Sequence, residues 1–430
     1  MSFKKMSAGT IIVLSFLTVI LVGTVLLYLP FSCTNGAELS LLDAFYISAS
    51  AVCVTGLSPV AIGATFNAFG ETILALLIQI GGMGITVISV LLFMALGKKI
   101  DLKNYNVIKA TLNFNSGKGV LSFVKAVFIT TICFELIGTA VNFVVFIKDY
   151  PFLRALGISA FHAISSFNNA GFDIFLYNDS LAFYKDNILL NVNTCFLIIS
   201  GGLGFLVIHE MISKKLKWKR YSLHAKVVIS TTLFLLIIAT VIIKLNENIS
   251  WHGAFFTSVT LRTAGFYTYS IQNFSLTTKL AMCAFMLIGA SPGSTGGGIK
   301  TTTFFVMLTG IRDIGRNKQG QAFHYGISRD AFQKASVINI LSMTLIIAAT
   351  YLLICFNPAL SLMEALFEAT SSFGTVGLSL NVTPILSPMS KIVSIVTMFI
   401  GRLGPLTIAS LGFKKKNDNV MFPEGNIPIG

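Results

Sequence analysis

Apolar runs of two lengths alternate with polar connections along the whole chain. Eight runs are strongly hydrophobic, at roughly 8–29, 72–96, 120–147, 188–212, 225–244, 279–310, 336–356 and 389–413. Several reach the ~18 residues that mark a helix able to cross a bilayer, so the pattern predicts transmembrane helices. The first run is too long for the apolar part of a signal peptide and no small-residue cleavage site follows it, so it reads as a retained helix. Connections after the first, third, fifth and seventh runs are long. Each contains a shorter, moderately apolar stretch that ends in small residues and a glycine.

Those four shorter stretches repeat one another. As windows of equal length they read DAFYISASAVCVTG (43–56), ISAFHAISSFNNAG (158–171), HGAFFTSVTLRTAG (252–265) and EALFEATSSFGTVG (364–377). The fourth position is always aromatic (Tyr46, Phe161, Phe255, Phe367), and the tenth is large and apolar (Val52, Phe167, Leu261, Phe373). The residue after the glycine is Leu57, Phe172, Phe266 or Leu378. A second echo lies in the next hydrophobic run each time: GGMG (81–84), GGLG (201–204), GASPG (289–293) and GRLG (401–404). Two signatures recurring four times in one order make an internal repeat, with the unit span, short helix, glycine turn, span. The expected fold is an all-α integral membrane protein of four pseudo-repeats and eight transmembrane helices around one axis. Repeat boundaries fall at 1–97, 98–213, 214–318 and 319–430.

Composition and charge sharpen this picture. Only 11% of residues are charged, against about a quarter in soluble domains. Of the 31 Lys and Arg residues, 23 cluster at Lys4–Lys5, Lys98–Lys125, Lys214–Lys226, Lys300–Lys334 and Lys414–Lys416, on one set of loops and ends. This asymmetry is the positive-inside pattern and predicts cytoplasmic N- and C-termini with an even number of crossings. The net charge of +14 therefore reports topology in a lipid bilayer and not a nucleic-acid partner. Six dispersed cysteines and five scattered histidines support neither a metal cluster nor a disulfide framework. Among titratable groups inside the runs, Glu135, His209 and Glu210 form no nucleophile–base or metal pattern, which argues against an enzyme.

A repeated helix–glycine unit suits the passage of a monovalent cation. Moving a bare ion into hydrocarbon costs on the order of tens of kcal/mol, so its lost water must be replaced by fixed oxygens. Backbone carbonyls supply them without fixed charge, and the turns this requires are cheapest at glycine. A short helix ending at the turn aims its negative C-terminal end at the ion. Irregular backbone at membrane depth is tolerated where it lines water or is buried in protein. The candidate filter residues are Val54, Thr55 and Gly56; Asn169, Ala170 and Gly171; Thr263, Ala264 and Gly265; and Thr375, Val376 and Gly377. One such stretch alone would read as an interfacial helix with a glycine cap. Four matched copies, flanked by polar residues such as Asn168 and Arg262, argue against that.

The sixth run carries Gly289, Pro292, Gly293, Gly296, Gly297, Gly298 and Lys300, a composition that cannot continue a helix cheaply. It should break into two half-helices joined by a flexible loop. A phosphate-binding reading fails because Ile299 separates Gly298 from Lys300. Arg402 stands mid-span in the fourth echo, where arginine costs at least ~2.5–3.5 kcal/mol unless it faces water or a partner. It should either face the central cavity as a positive barrier or bond the carbonyls of the broken sixth run. Snorkelling to the cytoplasmic edge is the weaker reading, since Phe413 still lies eleven residues on.

The VCVTGL, FNNAGF, LRTAGF and FGTVGL segments resemble the four pore loops of the Trk/Ktr/HKT potassium transporters, closest to KtrB-type subunits, over essentially the whole chain. Only Gly374–Leu378 comes near the potassium-channel string TVGYG. The resemblance implies potassium as the transported ion, with sodium a candidate activator and no organic cofactor. It implies that the loop in the sixth span gates the pore below the filter, with Arg402 as barrier. Members with serine at the first filter glycine tend to admit sodium, so Gly56 implies a preference for potassium. A KtrB-like homodimer in a bacterial cell membrane would dock on a ring of nucleotide-binding RCK subunits of the KtrA or KtrC type. The competing reading within transport is an alternating-access secondary cation transporter, sodium-coupled in one version, with the broken span as its binding site. Four glycine turns favour the channel-like path.

Overall fold

The computed structural model describes residues 8–85, 87–88, 90–91, 120–175, 180–215, 217–315 and 320–411. The basic clusters Lys4–Lys5 and Lys414–Lys416, most of Lys98–Lys125 and the C-terminal tail lie outside these residues.

Helices dominate. The first quarter of the chain contributes α1 (Ala8–Tyr28), α2 (Leu41–Cys53) and α3 (Ala68–Met83). The second contributes α4 (Val120–Phe146), α5 (Phe152–Phe167), α6 (Ile188–Leu203) and α7 (Phe205–Ser213). The third holds α8 (Leu223–Asn246), α9 (Trp251–Thr260), α10 (Leu276–Leu287) and α11 (Thr301–Gly315). A small hairpin, β1 (Gln321–Ala322) with β2 (Tyr325–Gly326), precedes α12 (Arg329–Phe356), α13 (Leu362–Gly374), α14 (Pro388–Leu403) and α15 (Pro405–Ser410). Among the described residues, α1, α4, α8 and α12 are each long and apolar enough to cross a membrane as single helices. Their outer faces expose apolar side chains such as Val25, Ile237 and Ile347, which lipid would cover.

The short helices begin where the sequence offers a cap. Ser40, Ser250 and Ser361 accept the third amide of α2, α9 and α13, and Glu364 completes a reciprocal capping box with Ser361. Pro151 opens α5. The window signatures turn out to be packing signatures. Val52, Phe167, Leu261 and Phe373 are fully buried, and so are Leu57, Phe172, Phe266 and Leu378 to within a few per cent. Three of the four fourth-position aromatics are buried as well, whereas Phe255 keeps 40% exposure. Two large apolar clusters result, one centred on the first two quarters and the other on the last two.

The even-numbered runs differ from the expectation of continuous spans. Only the sixth was expected to break. In the structure α3, α6 and α14 all stop at the last glycine of their echo, at Gly84, Gly204 and Gly404, with φ of +85°, +91° and +88°. Beyond Gly204 the chain turns by 99° into α7. An L side chain rarely adopts such φ, so the glycine that looked like an echo of the turn is itself a helix breaker. Gly81, Gly201 and Gly401, which open three of these echoes, each lie against the backbone carbonyl of Val52, Phe167 or Phe373. A Cβ at any of them would collide with the end of its own short helix, which is why the two signatures travel together.

Candidate functional site

The ends of α2, α5, α9 and α13 converge. In each following loop the residue two before the glycine is left-handed: Val54 (φ +57°), Asn169 (+58°), Thr263 (+71°) and Thr375 (+50°). Gly56, Gly171, Gly265 and Gly377 follow with φ of +94°, +69°, +82° and +94°. Left-handed backbone at valine or threonine is strained by about 1–3 kcal/mol and persists only where the surroundings enforce it. The amide between these two positions is tied back to its helix, Thr55 N to Ser50 O at 2.8 Å, Ala170 to Ser165 at 2.7 Å, Ala264 to Thr260 and Val376 to Ser371 at 2.9 Å. Gly56 N and Gly377 N donate to the hydroxyls of Ser50 and Ser371 at 3.1 and 3.2 Å. With these donors turned toward the helices, the loop carbonyls are left for the opposite side.

The four loops close a ring. A Cβ built at Gly56 would face the Ala170 carbonyl and come within 3.0 Å of Gly171 Cα. Gly171 stands in the same relation to Ala264 and Gly265, Gly265 to Val376 and Gly377, and Gly377 to Thr55 and Gly56, the Cα approaches being 3.0–3.2 Å. All twelve candidate filter residues therefore come together at one place. One open vestibule touches all four glycines and is walled by Ser58, Asp173, Tyr267, Ser379, Asn381 and Thr383.

The break in the sixth run lies against the other side of the ring. The expected flexible loop is instead held at many points. Gly289 N bonds Ile299 O (2.9 Å), and Ser291 N and Thr295 N bond the carbonyls of Gly202 (3.1 Å) and Gly201 (3.3 Å). Gly298 N bonds Gly401 O (3.3 Å), and Gly293 O accepts from Phe205 N (3.0 Å). Thr295 Oγ1 lies 3.2 Å from Asn169 Oδ1 and 3.3 Å from Phe167 O, while Gly297 N donates to Thr375 Oγ1 at 2.9 Å. Two left-handed ring residues are thus bonded directly to this loop. Lys300 Nζ bonds Gly296 O at 2.7 Å, folding back on the loop. Pro292 sits near its tip, half-buried. Arg402 spans the gap between the loop and α3, donating to Thr295 O and to the carbonyls of Gly81 and Gly82. That is the carbonyl-bonding alternative, extended to a second helix; snorkelling is not what the side chain does.

Buried polar groups behind the ring exceed those the sequence singled out. Asn168 Nδ2 bonds Gln79 Oε1 (2.9 Å) and Glu135 Oε1 (3.0 Å), and Arg262 reaches Gly289 O (3.2 Å). Glu71, His162 and Glu368 are also buried and were passed over. Their signal was available as polar letters inside the otherwise apolar repeat windows or at the head of a span. Among the described residues no group of His, Cys, Asp or Glu is placed to hold a metal ion.

The family model described as TrkH, a cation transport protein, matches residues 2–249 and 221–421. The chain belongs to the TrkH family of cation transport proteins. It is 37% identical to the Ktr system potassium uptake protein B of Bacillus subtilis, covering 98% of this chain and 96% of that one. Identity to the potassium/sodium uptake protein NtpJ of Enterococcus hirae is 34%, over 99% and 98% of the two chains. The fold matches the crystal structure of the potassium transporter TrkH from Vibrio parahaemolyticus with a TM-score of 0.77 at 18% identity, covering 96% of this chain and 86% of that one. The resemblance drawn from the glycine loops is borne out. The family is one of membrane cation transport, not of enzymes.

Proposed function

We propose that this protein is a potassium uptake subunit that passes K+ through the ring of Gly56, Gly171, Gly265 and Gly377. One observation carries the reading: four loops of alternating left-handed backbone, their amides tied outward, abut in closed cyclic order beneath an open vestibule. Such a ring presents carbonyl oxygens that replace the ion's hydration without fixing charge. The C-terminal ends of α2, α5, α9 and α13 add a negative field at the same place. The similarity to potassium and potassium/sodium uptake proteins supports the choice of ion, and glycine rather than serine at position 56 favours K+ over Na+.

The loop from Gly289 to Lys300 is the gate, with Arg402 as a positive latch below the filter. Eight crossings in four repeats follow, the even-numbered ones completed through glycine breaks instead of straight helices. A homodimer in a bacterial cell membrane, cytoplasmic termini, a nucleotide-binding RCK ring beneath and activation by sodium complete the reading, in keeping with the similarity to Ktr system proteins. Purified protein in liposomes should take up K+ in preference to Na+. Equal fluxes of both ions, or none, would overturn the proposal. Uptake that requires a sodium gradient would favour the alternating-access transporter in its place.

A further inference from the structure

Nine residues before the ring glycine, the four short helices carry Ile47, His162, Phe256 and Glu368. All four side chains are buried. Two copies fill the site with hydrocarbon, so the packing of a short helix behind its loop does not require a polar group there. The fourth copy nevertheless buries a carboxyl completely. Burying such a group without partners is costly, and here both oxygens have one. Oε2 accepts from the Ser379 hydroxyl at 2.7 Å and Oε1 from the Thr383 hydroxyl at 2.6 Å. Ser379 Oγ also accepts from the amides of Val382 and Thr383, at 3.1 and 3.4 Å. Between them Asn381 is held left-handed, at φ +60°. Ser379, Asn381 and Thr383 are wall residues of the vestibule. In the first copy the equivalent Ser58 bonds the nearby Val60 carbonyl instead.

We propose that Glu368 is a positioning residue for ion discrimination: from behind the fourth loop it fixes the segment 379–383, and with it the outer edge of the ring at Gly377. The inference rests on the proposed conduction through the ring and adds a determinant that lies off the conduction path. A filter distinguishes ions by holding its oxygens at set distances, so a wall free to shift by a fraction of an ångström should blur selectivity before it reduces flux.

The test compares Glu368→Gln and Ser379→Ala with the wild type in liposomes, measuring K+, Rb+ and Na+ fluxes on protein shown to be folded by size-exclusion chromatography. Glu368→Gln keeps the shape but mismatches one hydroxyl. Ser379→Ala, in the open vestibule wall, removes one bond to the carboxylate together with the acceptor of the Val382 and Thr383 amides, and leaves the carboxyl in place. Both should lower the K+:Na+ flux ratio, Glu368→Gln roughly fivefold, the scale of one hydrogen bond, and Ser379→Ala by at least as much, with K+ flux at saturation changed less than twofold. Folded variants with the wild-type ratio, or an equal fall in all three fluxes, would overturn the inference and leave the conduction reading standing. A wild type that passes no K+ would overturn both.

Discussion

The two sides of the glycine ring are built on opposite principles. Above and within it, four loops share one backbone form, and they differ in side chains of the loops and of the groups behind them. Below it, three copies break their second helix with a single glycine, at Gly84, Gly204 and Gly404, while the third repeat spends the whole stretch from Ile288 to Lys300 on its break. Coordinating an ion from all sides needs equivalence. Blocking a passage would need only one obstacle; two of the other three breaks bond this stretch directly, through Gly201, Gly202 and Gly401, and the first is joined to it through Arg402. On the proposed reading, the filter is a shared property of the four loops and the gate the property of one.

If that division holds, changes below the ring should alter how much passes, and changes in the ring should alter what passes. The largest effect is expected from removing residues 293–298. This deletes the partners of Thr375, Gly401 and Arg402, each bond being about 1 kcal/mol, so the open share should rise on the order of a hundredfold without a partner subunit. Ion selectivity should be retained, and liposome flux with and without partner subunits reads both. A folded deletion variant that is no faster would remove the gate from the account. Next comes Gly56→Ser. A side chain there faces the Ala170 carbonyl at a φ of +94°, and strain of about 1–3 kcal/mol should displace the ring enough to cut the K+:Na+ ratio about tenfold. Unchanged discrimination would take Gly56 out of the filter. Arg402→Ala removes charged bonds to Thr295, Gly81 and Gly82, and basal flux should increase about tenfold at constant selectivity, the scale of one such bond at ~1.5 kcal/mol. A fall in flux would make the arginine a structural tie only. The smallest effect belongs to Thr375→Val, which takes the acceptor from Gly297 N and should raise basal flux about two- to fivefold by the loss of one bond. A shift in selectivity with no change in basal flux would place Thr375 with the ring alone.

How far the sequence could be read follows the same boundary. The repeat windows located every ring residue, because the device is local: a short helix, a left-handed residue and a glycine lie within one window. Breakage of the sixth run was also legible, from three consecutive glycines; for Arg402 the cost of a bare charge left a bond to that run as one of two readings, and its partners Gly81 and Gly82 were not among those expected. Breaks at Gly84, Gly204 and Gly404 were not, since a glycine inside an apolar run is compatible with a helix and only its φ shows that the chain turns. The order of the loop was hidden for another reason. Composition predicts flexibility from residues 289–300 alone, whereas its anchors, Phe167, Asn169, Gly201, Thr375 and Arg402, lie far away in the chain. Glu368 does not stand out in the aligned windows, because they display what the copies share and its meaning is in how they differ.

The contact between Gly377 and Thr55 closes the ring, and it joins the last loop to the first. During synthesis this makes the pore a late event. A chain grown as far as residue 318 carries three of the four loops and the stretch 289–300, but no closed ring. Until the last quarter is made, the ring is open between Gly56 and Gly265, and the loop of residues 289–300 lacks its anchors at Thr375, Gly401 and Arg402.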